Sequence, residues 1–445
     1  MAAEAAELRC GATLELNAAA GTPSAWRAIA LASVKRVFQM RSAFVGLLSS
    51  TVVACGASDG VSITGSPAVQ PPVQDDTAAV QAAVDKGGVV SFSARTYHLT
   101  RTITITHSGT VIVGAGPATV FEYQPSQQLQ HCANDRVFTT PCTLYATVPR
   151  RIAAPINIGD TALSATSAAD VADVQPGDWL LINDFDSAIG DRVAVDWVQV
   201  ASVSGLTINV MQPFRMSFTT ARPWLAHKSG LGFERIPLIE NIELHNFKVV
   251  VERTPSPNTS GIAIFGALNS KIDNVAVSNY NGQPLYSYLA KGITITNSEG
   301  IGASVLSEFA STVDVTIRNC HFSSTGGTGF GLDLGSAFFA VDGNSVDQSA
   351  NAGIYLLYGV HDGTVTENRV GYVGNTVEGG SAAGMLIWGS QNVVVSDNYL
   401  AGGFGPASIG VSIRSYKGEL LEPDAGVTLS GNTIDGFVTS VQETP

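Results

Sequence analysis

The sequence predicts an all-β fold, a parallel β-helix (β-solenoid), on three observations. Its 445 residues are 45% hydrophobic but only 14% charged and include 46 glycines, as expected for β-structure with many tight turns. The length exceeds that of a usual compact domain, which favours several domains or one elongated repeat. Short alternating strands recur, and each ends on an asparagine: Asn319, Asn344, Asn368, Asn398 and Asn432. The shorter spacings between successive asparagines in this series are in the twenties of residues, which is the period of a β-solenoid.

Stacking of coils explains this repeat. One coil cannot bury its inward side chains alone, so Val, Ile and Leu stack on the same residue types one coil away, at about 4.8 Å. Asparagine tolerates the left-handed backbone conformation at a corner and can hydrogen-bond to its counterparts along the stack. We therefore expect the repeated asparagines to be structural.

The N-terminal region resembles an export signal. An apolar run from Ala43 to Val53 follows Met40, is too short to span a bilayer and suits a signal peptide. It ends at Cys55 in a sequence similar to a bacterial lipoprotein box, which implies lipidation of that cysteine. We expect residues 1–39 to be an over-extended or disordered start, residues 40–55 the signal and residues 56–74 a tether. The alternatives are an ordinary signal peptide and a buried strand.

The charge balance limits the partners. A net charge of −13 argues against nucleic-acid binding, which needs a basic face. The chain is expected to be secreted or held in the cell envelope, where Cys132 and Cys142 could form a disulfide. The predicted oligomeric state is a monomer or a trimer.

The first element of the folded region is a short helix. Residues 75–85 are amphipathic, with Val80 and Val84 in the apolar stripe, and Gly87 and Gly88 end the helix. The helix sequence Asp-Asp-Thr-Ala-Ala-Val-Gln-Ala-Ala-Val-Asp, followed by Gly-Gly-Val-Val-Ser-Phe and Ala-Arg-Thr-Tyr, resembles the opening of the pectate-lyase-like superfamily. The resemblance implies a helix capping a right-handed parallel β-helix, whose first coil would lie in residues 75–123. It implies fold rather than chemistry.

The repeat is interrupted in residues 124–235. Alternating β segments there, such as Asp178–Ile182 and Gly205–Val210, are separated by turns. We interpret this stretch as a small β-rich insertion that precedes the main β-helix in residues 236–445. Asn183, Asp184, Asp186 and Asp191 could bind Ca²⁺ in the insertion, or they form a solvated turn.

One sheet of the β-helix is expected to carry the functional side chains. Its strands are predicted at Gly261–Phe265, Gly331–Leu334, Gly353–Leu357, Gly384–Trp388 and Gly410–Arg414. Alternation places Asp333, Tyr355, Trp388 and Arg414 on the outward face. Outward rings offer flat apolar faces to sugars, so Tyr355, Tyr358 and Trp388 are candidate substrate-binding residues. The alternative is that a loop such as Gly371–Ala383 covers them.

Glu308 and Asp333 are the candidate catalytic pair. Their separation in the sequence matches one coil, which would stack their backbones about 5 Å apart. When two carboxyl groups are close, their pKa values move apart, so that one stays protonated as an acid and the other is ionised as a base. Glycoside hydrolysis requires such a pair. The same pair could hold Ca²⁺ in a lyase. His361, at the turn after the Tyr355 strand, could transfer protons or could be a solvated turn residue.

Arg414 and Lys417 are candidates for binding an acidic sugar. Residues 410–418 faintly resemble the Arg-Ile-Lys segment of polygalacturonase-type hydrolases, which implies a grip on a uronate carboxylate. The two cations could form such a fork. Arg414 could instead be the base of a lyase, or a surface arginine in a salt bridge.

Together these features predict a polysaccharide-acting β-helix protein. We expect a polysaccharide lyase or a glycoside hydrolase, or an epimerase, acting on a uronic-acid-containing glycan outside the cell. The alternative is a non-catalytic glycan-binding or structural surface solenoid. The lipoprotein-like start disfavours a third class, the phage tailspike.

Overall fold

The computed structural model describes residues 74–125, 136–142, 150–186, 191–218, 231–251, 259–279, 282–302, 307–324, 326–373, 383–403, 408–415 and 426–444. The segments predicted as an over-extended start and a signal, and most of the tether, lie outside these residues. Two helices occur in the described part, α1 (Thr77–Val84) and α2 (Ala168–Val171). No described helix is long and apolar enough to cross a membrane.

Parallel strands, numbered in chain order, form two long sheets. The ten-stranded sheet contains β3 (Ile103–Thr104), β6 (Arg136–Thr139), β15 (Ser260–Phe265), β18 (Leu285–Tyr288), β21 (Ser307–Ala310), β24 (Phe330–Asp333), β27 (Ala352–Leu357), β30 (Ala383–Trp388), β33 (Ile409–Arg414) and β36 (Thr439–Thr444). The twenty-stranded sheet contains β1 (Val89–Phe92), β2 (Thr96–Leu99), β4 (Val111–Gly114), β5 (Val120–Tyr123), β13 (Ile239–Glu240), β14 (Glu243–Val251), β16 (Ala267–Leu268), β17 (Lys271–Asn279), β19 (Lys291–Thr296), β20 (Glu299–Gly302), β22 (Val313–Arg318), β23 (His321–Ser324), β25 (Ala337–Asp342), β26 (Ser345–Asp347), β28 (His361–Thr366), β29 (Arg369–Val373), β31 (Gln391–Ser396), β32 (Tyr399–Gly403), β34 (Thr428–Ser430) and β35 (Thr433–Asp435).

Each strand pairs with its equivalent in the next coil, so the chain winds as the predicted β-helix. The twenty-stranded sheet consists of two stacks that share the long strands β14 and β17, and the ten-stranded sheet is the third face. Inside, Ile354, Met385 and Val411 lie in register on successive coils and are buried. Val80 and Val84 of α1 join the same core at its first coil, as the capping prediction requires.

A buried ladder of asparagines runs along one corner. The backbone N–H groups of Asn344, Asn368 and Asn398 each donate to the side-chain oxygen of the next asparagine, ending at Asn432, over 2.9–3.0 Å. The left-handed backbone conformation belongs to the residue before each ladder asparagine, for example Glu367 with φ 55°. The sequence predicts that the asparagine both adopts the left-handed conformation and forms the hydrogen bonds along the stack. In the structure the preceding residue adopts the conformation, and the asparagine forms the hydrogen bonds.

The inserted sheet is antiparallel and lies outside the β-helix. Its six strands, in spatial order, are β7 (Arg150–Arg151), β12 (Gly232–Arg235), β9 (Trp179–Asp186), β10 (Asp191–Ser204), β11 (Thr207–Val210) and β8 (Ala162–Ser164). It has its own buried core, which includes Leu180, Val198 and Phe233. Strand β6 lies within the predicted insertion 124–235 but pairs with β3 and β15 of the ten-stranded sheet, so the inserted sheet begins only at β7.

The inserted sheet packs on the outward face of the ten-stranded sheet. Leu181, Val195 and Trp197 of the insertion share an apolar cluster with Phe265, Tyr288 and Ala310. Arg192 fixes this contact because its guanidinium donates to the Tyr288 hydroxyl at 2.9 Å and pairs with the buried carboxylate of Glu234. The insertion therefore covers the outward positions of the first strands of this face, up to Ala310 of β21. It continues along the turns after β24 and β27, where Gly335 and Gly359 lie against Val193 and Ala194.

Candidate functional site

The predicted site residues on the ten-stranded sheet share one outward strip. We use outward strip for the side chains of Glu308, Asp333, Tyr355, Trp388 and Arg414, which project from strands β21 to β33, with the intervening Gly331. The strip begins beside the positions that the insertion covers, because Ala310 belongs to the shared apolar cluster and its neighbour in the next coil is Asp333. The acids and aromatic residues thus converge on one side of the β-helix.

The register corrects the predicted stacking of the two acids. Glu308 is paired with Gly331, and Asp333 is paired with Ala310. The carboxylates are therefore on adjacent coils but are offset by two residues along the strand. Strand spacing and rise per residue place their α-carbons roughly 8 Å apart, on the same face of the sheet.

The Tyr355 ring lies against Gly331 because the glycine leaves room for it. A β-carbon built on Gly331 would be only 2.3 Å from Cδ2 of the Tyr355 ring. Burial, and then the charges of Glu308 and Asp333, raises the pKa of the Tyr355 phenol well above its ordinary value. Tyr355 is only 6% exposed, so it offers no open stacking face to a sugar, contrary to expectation. Its protonated phenol is a hydrogen-bond donor beside the carboxylates.

The two carboxylates are held by nearby groups. The Asp333 side chain is 9% exposed, and its Oδ1 accepts a hydrogen bond from the Leu334 N–H at 2.7 Å. The Glu308 carboxylate is half-buried and accepts a hydrogen bond from the Gln283 side-chain amide. Such contacts fix the carboxylate positions before any substrate binds.

Tyr358 and Trp388 form an aromatic pair further along the strip. Their ring centroids are 5.5 Å apart with the planes tilted by 46°, and both side chains are half-exposed. Tyr358 lies in the turn that follows β27, with φ 54°, and its N–H donates to the Trp388 carbonyl. The pair is available as an apolar surface for a sugar ring.

Arg414 lies one coil beyond Trp388, in register with it. Burial lowers the pKa of its guanidinium, and its Nε donates to the Ser412 hydroxyl at 3.0 Å. Three coil steps separate it from Asp333, which is about 14 Å along the stack. Arg414 and the acids therefore cannot act on the same bond. Lys417, the predicted partner of Arg414, and Cys55, the predicted lipidation site, lie outside the described residues.

His361 is not on the outward strip. It begins β28 in the twenty-stranded sheet, around the turn from β27, and lines a cleft of about 580 Å³ between the inserted sheet and the β-helix. Its Nδ1 is 2.8 Å from an oxygen of Asp362, a hydrogen bond that lowers the pKa of that carboxyl group. The structure thus separates His361 from the other predicted catalytic residues.

Metal binding stays a prediction. Among the residues that the structure describes, no group of three or more His, Cys, Asp or Glu side chains is placed to hold a metal ion. Within the Ca²⁺ loop considered above, the Asn183 amide donates to the buried Glu234 carboxylate at 3.1 Å, and Asp184 is buried. Asn183 therefore contributes to the interior of the insertion.

Comparison with known proteins identifies the fold. A family model described as a right-handed β-helix region matches residues 232–370. The chain has a right-handed parallel β-helix. The β-helix is the element that the resemblance of residues 75–97 implied.

Two solved β-helix structures align with most of the chain. The tailspike protein gp49 of Pseudomonas phage LKA1 has a TM-score of 0.54 at 14% identity, covering 83% of this chain and 71% of that chain. The tailspike gp61 of Pseudomonas phage phi297 has a TM-score of 0.51 at 13% identity, covering 82% and 69%. No curated protein sequence matches significantly. At this identity the likeness shows the fold alone.

Sequence reasoning missed the cleft beside His361. Its walls include Asp184, Arg215 and Gln391, which come from the inserted sheet and from two coils of the β-helix. No spacing or motif relates these residues, because they meet only when the insertion docks. The one sequence signal was the adjacent pair His361 and Asp362.

Proposed function

We propose that this β-helix protein binds an extracellular polysaccharide along the outward strip. It would hydrolyse the glycosidic bond of the polysaccharide that lies between the carboxyl groups of Glu308 and Asp333. The observation that supports the proposal is the pair of carboxylates on adjacent coils with the buried Tyr355 phenol beside them. One carboxyl group would protonate the leaving oxygen while the other acts on water or on the sugar.

The stereochemical outcome depends on the distance between the two carboxyl groups. Retaining glycosidases hold their carboxyl groups about 5 Å apart, whereas inverting enzymes leave about 6.5–9.5 Å for a water molecule. The roughly 8 Å between the α-carbons of Glu308 and Asp333 is a backbone distance, and the side chains set the distance between the carboxyl groups. Either stereochemical outcome is therefore compatible with this pair.

The rest of the strip supports binding of an acidic glycan. Trp388 and Tyr358 supply an apolar surface, and Arg414 supplies a cation about 14 Å from Asp333. A chain lying along the strip would place a uronate carboxylate at Arg414 several sugar units from the cleaved bond. Arginine binds carboxylates with paired hydrogen bonds, which fixes the register of the chain.

A lyase is the second candidate, on the observation that burial lowers the pKa of Arg414. A lower pKa increases the fraction of Arg414 in the neutral form, which is the form that could remove the proton beside a uronate carboxylate. In that case Arg414 would carry the reaction, and Glu308 and Asp333 would be dispensable.

The test is incubation of the purified protein with uronic-acid-containing and neutral polysaccharides. We expect new reducing ends without the ultraviolet absorbance of an unsaturated sugar. Asp333→Asn and Glu308→Gln should each lower kcat by roughly 10²-fold or more, the usual contribution of an acid or base. Glu299→Gln, the same change on an exposed carboxylate of the twenty-stranded sheet, should leave kcat unchanged.

Three results would contradict the proposal. Full activity in both acid variants removes the pair from the chemistry. An unsaturated product that disappears in Arg414→Ala establishes the lyase instead. Glycan binding without turnover of any polysaccharide, and with unchanged affinity in the acid variants, favours the non-catalytic solenoid.

Lipidation at Cys55 and a need for Ca²⁺ stay predictions, to be checked by mass spectrometry and by chelation.

A further inference from the structure

A second, separate cleft lies between the inserted sheet and the β-helix. Its volume is about 580 Å³, within the range of small-molecule sites. One wall is the insertion, with Asp184 and Arg215, and the other is the start of successive strands of the twenty-stranded sheet, with Phe338, Asp362 and Asn392. The outward strip belongs to the ten-stranded sheet, so the two sites are on different faces.

A buried histidine atom in this cleft lacks a partner. His361 lines the cleft, is 7% exposed, and its Nε2 makes no hydrogen bond to any residue that the structure describes. Its Nδ1 is engaged by Asp362, whose other oxygen accepts a hydrogen bond from the Asn392 amide at 3.1 Å. With the Nδ1 proton directed to Asp362, Nε2 is a hydrogen-bond acceptor. A buried acceptor without a donor is unfavourable, so a ligand hydroxyl that reached Nε2 would be stabilising there.

The charges around the cleft disfavour an anionic ligand. Arg215 is already neutralised, because it contacts Asp196 at 2.7 Å and Asp314 at 2.5 Å. Asp314 is also paired with Lys291. The described lining of the cleft therefore contains two carboxylates, Asp184 and Asp362, and one arginine whose charge is already shared with Asp196 and Asp314. The carboxylate of an acidic ligand would be repelled by the carboxylates of the lining.

The other lining groups match a neutral sugar. Carboxylates accept hydrogen bonds from hydroxyls, and the side-chain amides of Gln391 and Asn392 both donate and accept. Met216 and Phe338 add apolar wall, although the Arg215 guanidinium already covers one face of the Phe338 ring at 3.9 Å. We infer that this cleft is a binding site for a neutral saccharide, distinct from the outward strip. The inference does not depend on hydrolysis at Glu308 and Asp333.

The test measures saccharide binding by saturation-transfer NMR and titration calorimetry on the intact protein. The probes are glucose, galactose, mannose, N-acetylglucosamine and their short oligomers, with glucuronate and galacturonate as charged counterparts. Gln391→Trp fills the cleft from an outward position and should weaken neutral-sugar binding by roughly tenfold or more. Val394→Trp, at an exposed position on the same strand, should leave the affinity unchanged.

A second variant keeps the inference testable if the first perturbs folding. His361→Asn retains a nitrogen near the position of Nδ1 and removes Nε2, so it should also weaken binding by roughly tenfold. Glu308→Gln and Trp388→Ala report on the outward strip and should not change the affinity. The inference is overturned by absence of neutral-sugar binding, by uronate binding that Gln391→Trp weakens to the same extent as neutral-sugar binding, or by loss of binding in the strip variants alone.

Discussion

Gly331 makes room for the ring at the centre of the candidate site, and Gly331→Ala tests this arrangement directly. The substituted β-carbon would be 2.3 Å from Cδ2 of Tyr355 and 2.6 Å from Cγ and Cε2, where ordinary contact begins at 3.4 Å. The ring must therefore move by about 1 Å to restore ordinary contact. Tyr355 is buried against Leu386 in an apolar cluster, so the move cannot be made without repacking.

The expected cost follows from these distances. Adding a methyl group to a packed site destabilises proteins by about 1–3 kcal/mol. The lower chain entropy of alanine offsets about 0.4–1 kcal/mol of this in the unfolded state. Gly371→Ala is the matched control, because its β-carbon would approach no atom closer than 3.4 Å. The same entropy gain occurs in the control and cancels, so we expect Gly331→Ala to lower the free energy of unfolding by about 1–3 kcal/mol relative to Gly371→Ala.

Guanidinium unfolding of four proteins measures the effect as a double-mutant cycle. Tyr355→Ala alone should cost about 3–5 kcal/mol. In that background Gly331→Ala should cost less than about 0.5 kcal/mol, because no ring remains to be displaced. An equal cost for Gly331→Ala with and without the tyrosine would show that the ring does not lie on Gly331, and the proposed cluster of phenol and carboxylates would be refuted.

Three further predictions concern the ladder, the insertion and the phenol. Asn368→Ala should lower the free energy of unfolding by about 3 kcal/mol or more, since several buried backbone and amide groups lose partners. Truncation of the half-buried Asn432 should cost less, and denaturant titration of the two variants measures the difference. Arg192→Met should cost about 3–5 kcal/mol because it removes the guanidinium from the buried Glu234 carboxylate, and adding Glu234→Gln should restore part of the loss. A cost under about 1 kcal/mol would contradict the described contact. Because burial raises the pKa of the Tyr355 phenol, the unfolded chain loses that proton first, at about pH 10. The free energy of unfolding should therefore fall as the pH rises above this value, and it should fall less in Tyr355→Phe. Identical alkaline profiles of the two proteins would refute the burial.

The fold could be predicted because its repeat is encoded locally. Inward Val, Ile and Leu and outward polar residues recur from coil to coil, and a corner asparagine recurs in the later coils. A single arrangement buries the apolar residues and pairs the asparagines. The helix α1 could be predicted for the same reason, since Val80 and Val84 need the open end of the core. These features depend on residues close together in the sequence.

The register of the candidate site could not be read from spacing, because the step between paired residues varies around a coil. The step from Glu308 to its partner Gly331 is one residue shorter than the step from Val313 to Ala337. The extra residue lies in the turn at Gly335, whose φ of 73° allows the additional bend. An assumed coil of fixed length therefore misplaced Asp333 by two positions along the strand.

The same effect moved the corner asparagine by one position. Cys320, and not Asn319, occupies the ladder position, because its N–H donates to the Asn344 side chain. Asn319 instead takes the left-handed conformation. The cleft at His361 lay beyond sequence reasoning for another reason, namely that its two walls are brought together only by docking of the inserted sheet.

The position of the inserted sheet has a consequence for biosynthesis. Its apolar underside, which includes Trp197, leaves the ribosome well before the strands that it covers, the last of which carries Ala310. At usual translation rates this underside stays uncovered for on the order of 10 s. Throughout that interval the nascent chain presents a surface that chaperones can recognise, and any delay in winding the later coils lengthens its exposure to aggregation.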